Sequence, residues 1–334
     1  MKVWFPLIRA DTGTDVFTRR LTVALRRFGV AAETTCFPQH FEYAPFLLRS
    51  LPPPPGTQLI HANSWSGFAF ARAGIPLVVT EHLNVLDPIY GSFKTLLQRV
   101  YHEALIRRFM RASFTAASAI TTVSHFVRAS LANTLNIESA SVIHNWIDTR
   151  RFRPQLDDAG DKRLFRLLFV GNPSRRKGAD LLAPIMKNIG SEFKLFFTSG
   201  ANGRNPFAAT PNMICLGRLT RERDLVATYH QCDALLLPTR FEGFGLSAIE
   251  AMSCGKPVIA TDCCSLPEVV GDGVAGILCP LNDIQAFADA CRKLAEDRET
   301  RRLLGLRARE RAEQFFSEER IIPQYVALYE SLVQ

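Results

Sequence analysis

The run Ala234-Leu235-Leu236-Leu237-Pro238 and, beyond Thr239-Arg240, the stretch Phe241-Glu242-Gly243-Phe244-Gly245-Leu246-Ser247-Ala248-Ile249-Glu250-Ala251-Met252 decide how the whole chain is read. The first run is apolar throughout and stopped by proline, the mark of a short buried strand. From Leu246 the pattern turns helical, with Leu246, Ile249 and Met252 on one face. Gly243 and Gly245 therefore fall in a strand-to-helix turn, where backbone approaches a ligand closely and the first amides of a helix point outward. Glu242 and Glu250 bracket that turn. Amides for an anion, with acids on either side for hydroxyls, suit a phosphorylated sugar. Each residue also has a plainer reading: Ser247-x-x-Glu250 matches a capping box, glycines serve ordinary turns, and Glu242 could be a solvated loop acid.

Working outward, the same alternation recurs along the 334 residues. Val3–Ile8 reads as a strand, Asp11–Asp15 as a turn holding Gly13, and Val16–Phe28 as a helix closed by Gly29. Four prolines stiffen Leu51–Gly56. Gln58–Ala62 and Leu77–Thr80 follow as strands, with a small helix at Trp65–Ala73 between them. The second of these strands ends at Glu81-His82, the edge where open parallel sheets bind ligands. Phe93–Phe114 has a helical pattern mixing Leu96, Leu97, Val100, Leu105 and Ile106 with Lys94, Arg99, Arg107, Arg108 and Arg111. Either it is a surface helix with a solvated basic face, or it lies on a membrane surface. Ala119–Val123 and Ser141–Ile143 are strands around a helix near Phe126–Leu135.

A polar, acid-rich stretch at 155–163 separates this half from the next. Arg166–Gly171 is a strand running into Asn172-Pro173-Ser174-Arg175-Arg176-Lys177-Gly178, with a helix from Ala179. Cations at a helix start suit a diphosphate, because the arginine fork grips oxygens in a plane and lysine adds a compact charge; a solvated basic loop is the plainer reading. Lys194–Phe197 and Met213–Gly217 are strands, and Leu219–His230 a helix. After the central stretch come a strand at Pro257–Thr261, a short helix at Pro267–Val270, a strand at Gly276–Leu278 and helices at Ile284–Leu294, Thr300–Phe315 and Glu319–Val333. Two successive sets of alternating strands and helices predict two doubly wound α/β domains.

Composition sets the outer limits. A hydrophobic share of 47% and a charged share of 22% are those of an ordinary globular protein. No apolar run reaches the roughly 18–20 residues that span a bilayer, and Met1–Pro6 lacks a signal-peptide core, so a cytoplasmic protein is expected. The eight cysteines contain no C-x-x-C pair, which predicts neither a zinc site nor a disulfide framework. Residues 1–150 hold 15 Lys/Arg and 9 Asp/Glu, a net +6, against +2 (25 and 23) for the rest. That bias favours an anionic partner such as a phospholipid surface, peripherally at the inner membrane face, or a lipid-diphosphate acceptor. No nucleic-acid-binding signature accompanies it.

The central dodecapeptide, with Cys254-Gly255-Lys256-Pro257-Val258-Ile259 after it, closely resembles the Glu-x7-Glu signature of family 4 glycosyltransferases, retaining enzymes of the GT-B fold. The resemblance runs from Gly13 to the final helix. It implies two Rossmann-like domains facing across a cleft: residues 1–154 binding acceptor, 155–315 binding the nucleotide-sugar donor, and a last helix, 316–334, crossing back to the first domain. His144-Asn145-Trp146-Ile147-Asp148 is similar to the family's interdomain junction, although His144 and Trp146 replace a proline and a glycine. Asn172 stands where most members carry arginine, whereas Lys177-Gly178 match in register.

On this resemblance the expected reaction moves a hexose from a nucleotide diphosphate sugar to a glycan or lipid-linked acceptor, in cell-surface polysaccharide or glycolipid synthesis. Glu250 would bind the ribose hydroxyls and Glu242 the donor sugar. The amides of Phe244, Gly245 and Leu246, with Ser247, would hold the sugar. Arg176 and Lys177 would stabilise the departing diphosphate, His82 would contact the donor sugar, and Gly13 would line the cleft. The turn at Leu216, Gly217 and Leu219 would pack against the base. No metal or other cofactor is implied. Two rivals stay open: a nucleotide-sugar 2-epimerase, and a non-catalytic sugar-nucleotide-binding module, which Asn172 alone favours.

Overall fold

Every apolar run read as a strand pairs with its neighbours in parallel, and the result is two six-stranded sheets. They are seen in a computed structural model that describes residues 1–10, 12–155, 164–200, 207 and 209–333. The chain divides into two units, Met1–Asn145 with Glu318–Gln334, and Trp146–Ser317.

The first unit runs β1 (Lys2–Ile8), α1 (Gly13–Arg27), β2 (Ala31–Phe37), β3 (Leu59–Asn63), α2 (Gly67–Phe70), β4 (Leu77–Glu81), α3 (Pro88–Gly91), α4 (Leu96–Tyr101), α5 (Arg107–Ala116), β5 (Ala119–Thr122), α6 (His125–Leu135) and β6 (Ser141–Val142). Strand order is β2-β1-β3-β4-β5-β6. One core layer joins Trp4, Ile60, Phe70, Val79, Ile106, Met110 and Leu131, all buried. Such strands, covered on both faces, carry the continuous apolar runs that made them legible.

The second unit runs β7 (Phe165–Phe169), α7 (Ala179–Ile189), β8 (Phe193–Phe197), β9 (Met213–Cys215), α8 (Glu222–Gln231), β10 (Ala234–Leu237), α9 (Leu246–Ser253), β11 (Val258–Thr261), α10 (Leu266–Val270), β12 (Gly276–Cys279), α11 (Ile284–Glu296) and α12 (Arg298–Phe316). Its order is β12-β11-β10-β7-β8-β9. From β7 the chain winds outward through β8 and β9, then returns to place β10 on the other side of β7. The loops after β7 and β10 consequently lie side by side over adjacent strand ends, where the winding reverses, the place where doubly wound sheets take ligands.

The last helix, α13 (Glu318–Val333), belongs to the first unit. Its Tyr329 hydroxyl lies 2.6 Å from His61 Nδ1 on β3, and His61 Nε2 is 2.6 Å from Thr80 Oγ1 on β4. Arg27 at the end of α1 pairs with Glu318 at 3.0 Å. Pro323 lies inside α13, in its second turn, and the helix continues past it to Val333.

Several expectations need correction. The first unit ends at Asn145, not 154, because Trp146, Ile147 and Phe152 are buried in the second unit. There the Ile147 amide donates to Phe316 O at 2.8 Å, and Ser253 Oγ to Phe152 O at 2.5 Å. The expected helix over 93–114 begins at Leu96 and passes through a π-helical turn, His102–Ile106, before α5. Only one turn of the 65–73 helix forms. Gly67 packs close to Val79 and Ser113 there, and Ser113 Oγ accepts from the Phe68 amide at 2.9 Å. Strand β2 was not expected. Residues 156–163 of the expected linker, and Asp11 of the first turn, lie outside the described residues.

Candidate active site

Two loops of the second unit meet at its switch point. After β7 the chain passes Gly171 and turns at Ser174–Gly178 into α7; after β10 it passes Pro238 and turns at Gly243–Gly245 into α9. They approach so closely that a Cβ on Gly178 would stand 1.9 Å from Pro238 O, and Gly178 is left-handed at φ +70°. No other residue fits there. One main-chain and one side-chain hydrogen bond lace the loops together: the Arg240 amide donates to Arg176 O at 2.8 Å, and Thr239 Oγ1 to the same oxygen at 3.1 Å.

This contact brings the expected residues Arg176, Lys177 and Glu242 into one cluster. Lys177 Nζ forms a close ion pair with Glu242 Oε2. The Arg176 guanidinium donates to Phe241 O at 2.7 Å. Burial works against the Glu242 charge, but Lys177 and then Arg176 outweigh it and hold the carboxyl below its usual range. Burial likewise pulls Lys177 below the ordinary lysine range, an effect the Glu242 charge partly offsets. Arg175 is exposed. Asn172 lies against the neighbouring loop, its Oδ1 where a Cβ on Gly200 would be.

Glu250 stands one helical turn further along. Gly245, left-handed at φ +95°, is the N-cap of α9 and no side chain caps this helix, so the capping-box reading of Ser247-x-x-Glu250 fails. Glu250 is instead a buried acid on the second turn, whose Oε2 accepts from the Tyr229 hydroxyl of α8 at 3.0 Å. Phe244 is buried and packs edge-on against Phe316 at 5.5 Å, so its main chain is the part left for a ligand. Leu246 and Ser247 occupy the first turn of α9, and their own amides have no acceptor within the helix. Ser265 Oγ donates to Glu242 O at 3.0 Å and fixes the loop from the side of α10.

Leu216, Gly217 and Leu219 follow β9 at the sheet edge, tied down by Leu216 N to Phe197 O and Ser199 N to Gly217 O, both 2.9 Å. The helix expected from Leu219 begins only at Glu222, so all three lie in the connecting loop. Gly13 and His82 belong to the first unit. Gly13 is the first residue of α1, after Thr12 in extended backbone; the helix starts earlier than its apolar pattern because Asp15 accepts from the Ala10 amide at 3.1 Å and folds the turn back. His82 follows β4, its ring edge-on to Phe17 at 4.4 Å. Its Nε2 is buried with no hydrogen-bond partner among the described residues, and burial pushes its pKa down to about 3.

Sequence reasoning missed three supports of this cluster: Tyr229, which holds Glu250; Arg240; and Asp180, which Arg240 grips through both carboxylate oxygens at 2.6 and 2.9 Å. The nearness of Arg240 to Glu242 was the only signal available for it. Nothing marked the other two.

The comparisons agree with this geometry. Residues 13–151 match the model of glycosyltransferase family 4, and residues 165–297 that of the glycosyl transferases group 1. An uncharacterised glycosyltransferase of Methanocaldococcus jannaschii is 29% identical over 282 residues, which cover 83% of this chain and 76% of that one. Sucrose-phosphate synthase from Thermosynechococcus elongatus superposes with a TM-score of 0.83 at 22% identity, over 98% of each chain. Anabaena HepE in complex with UDP-glucose does so with a TM-score of 0.78 at 18% identity, over 99% of this chain and 100% of that one. With two doubly wound units of the GT-B type and these matches across both, the chain belongs to the family 4 glycosyltransferases.

Proposed function

We propose that the protein moves a hexose, with retention of anomeric configuration, from a nucleotide diphosphate sugar to a glycan or lipid-linked acceptor. The observation that carries this reading is the convergence of Arg176, Lys177 and Glu242 over the switch point of the second sheet, with the α9 amides and Glu250 beside them. In this reading Glu250 takes the ribose hydroxyls, and the Phe244–Leu246 main chain and Ser247 take sugar hydroxyls together with Glu242. Arg176 and Lys177 stabilise charge on the departing diphosphate, where it develops in the transition state. These two cations supply the positive charge a divalent ion would otherwise bring, so transfer is metal-independent. Gly13 and His82 serve the donor sugar from the first unit, and the Leu216–Leu219 turn serves the base.

Calorimetry with UDP, GDP and ADP sugars, followed by transfer assays with and without a chelator, tests the reading. One nucleotide sugar should bind, chelation should leave the rate unchanged, and the anomeric proton of the product should show retention by NMR. No binding to any of the three, or an inverted product, would refute it. Product formed from donor alone would point to an epimerase instead.

A membrane-facing acceptor is the second part of the proposal, placing the enzyme on the cytoplasmic side in polysaccharide or glycolipid synthesis. Helix α4 buries none of its residues; Leu96 and Leu97 are 78% and 79% exposed, and Val100 58%. Arg99 is exposed among them and Lys94 precedes them, in the half of the chain that carries the charge excess. Exposed aliphatics beside cations suit an anionic lipid surface. No helix among the described residues is long and apolar enough to cross a membrane.

A further inference from the structure

Arg240 has no part in the roles assigned above, yet it is the most heavily bonded side chain of the two loops. Its side chain is 15% exposed. Nη1 and Nη2 grip Asp180 on the first turn of α7, Nη1 also donates to Arg175 O, and Nε donates to Asn282 Oδ1 at 2.5 Å. Its own amide donates to Arg176 O. Four of the five guanidinium donors are implied by such a set, so the group cannot also grip a phosphate without releasing the frame.

We propose that Arg240 is a positioning residue: anchored on Asp180, it fixes the backbone of Arg175 and Arg176, and so sets where Arg176 and Lys177 present their charges to the β-phosphate of a nucleoside diphosphate. The inference rests on the donor-site reading above. Lysine cannot replace it, because a point charge reaches Asp180 or the Arg175 carbonyl but cannot span both with fixed geometry. The effect belongs to the β-phosphate, since the base and ribose are held by the Leu216–Leu219 turn and Glu250, which Arg240 does not touch.

The test is a ratio of affinities. Calorimetry on the full chain compares UDP with UMP, GDP with GMP and ADP with AMP, and the pair the wild type binds is carried to the variants. Arg240→Gln should weaken the diphosphate at least ten-fold and the monophosphate less than two-fold, with Arg240→Lys between. Asp180→Asn should shift the ratio in the same direction, and the double variant should be no worse than Arg240→Gln alone. If Arg240→Gln does not fold, Arg240→Lys and Asp180→Asn carry the comparison. An unchanged diphosphate affinity, or equal losses for both nucleotides, overturns the proposal. Arg176→Ala and Lys177→Ala separate the two failures. If they weaken the diphosphate while Arg240 variants do not, only this inference falls. If neither weakens it, or the wild type binds no nucleotide, the donor-site reading falls with it.

Discussion

Replacing Glu250 with glutamine separates a ligand role from a structural one, because the side chain keeps its shape and loses only its charge. In the structure Glu250 Oε2 accepts from Tyr229 at 3.0 Å, a bond that a glutamine carbonyl can also accept. The change therefore trades a charge-assisted bond for a neutral one inside the protein, a loss of about 1 kcal/mol. That would lower the melting temperature by about 2–4 °C for a unit of this size. A ribose presents two hydroxyls to the same carboxylate. Losing charge assistance to both should weaken nucleotide binding by about 2 kcal/mol, or roughly 30-fold in Kd. Calorimetry beside a melting curve reads both numbers. Tyr229→Phe is the control: it should cost about 1 kcal/mol of stability and leave the Kd within about three-fold. If Glu250→Gln lowers the melting temperature while the Kd stays put, Glu250 is an anchor for α8 and the ribose role is refuted.

Three further outcomes are expected. Arg176→Ala should cut turnover at saturating donor by about 10²–10³-fold, the scale for losing one donor to a developing anion, while Arg175→Ala, exposed in the structure, stays near wild type; the reverse order would place the diphosphate site elsewhere in the loop. Acid should weaken the first unit through His61, whose burial, and then the neighbouring His82, lower its pKa to about 3. Because the unfolded chain takes up a proton near pH 6.5 that the buried ring refuses, this contribution is complete above pH 6.5 and lost as pH falls toward 3; by pH 4.5 the loss is about 2.7 kcal/mol, and equal denaturant midpoints at pH 7 and 4.5 would contradict it. Finally, low-salt co-sedimentation with anionic vesicles should capture the wild type, and Leu96→Ser with Leu97→Ser should abolish capture while leaving nucleotide affinity intact; wild type left in the supernatant would remove the lipid-facing role of α4.

Most of the fold was legible because both sheets are parallel and buried on both faces, so a strand such as Ala234–Leu237 is an uninterrupted apolar run and Leu77–Glu81 opens with one, Leu77-Val78-Val79. Strand β2 lacked that signal. Its sequence, Ala-Ala-Glu-Thr-Thr-Cys-Phe, lies on the sheet edge and is mostly half-buried, so polar residues interrupt the pattern. The boundary at Asn145 was misplaced for a related reason: Ile147 and Phe152 look like a connector in sequence and become core only through bonds to Phe316 and Ser253, far along the chain.

The site itself divides along the same physical line. Glu242, Gly245 and Glu250 could be read from their spacing because a strand-to-helix turn is local, and its chemistry lies in main-chain amides and in acids a few positions apart. Their supports are not local. Arg240 meets Asp180 across 60 positions, and Lys177 meets Glu242 across 65. That second pairing changes what the individual roles mean. Read separately, Lys177 belongs to the diphosphate and Glu242 to the sugar; in the folded chain each is the other's counter-ion, and both are largely shielded from solvent. A diphosphate drawing on Lys177 must share it with Glu242, and removing Lys177 would take away the nearest counter-charge of a largely buried carboxylate, leaving Arg176 as its remaining cation and costing stability before any chemistry is considered. Arg176 donates to a carbonyl and supports Glu242 only as the weaker of the two cations, so it carries less of that burden. Its substitution is therefore the cleaner probe of the leaving-group charge, and a Lys177 variant reads stability and catalysis at once.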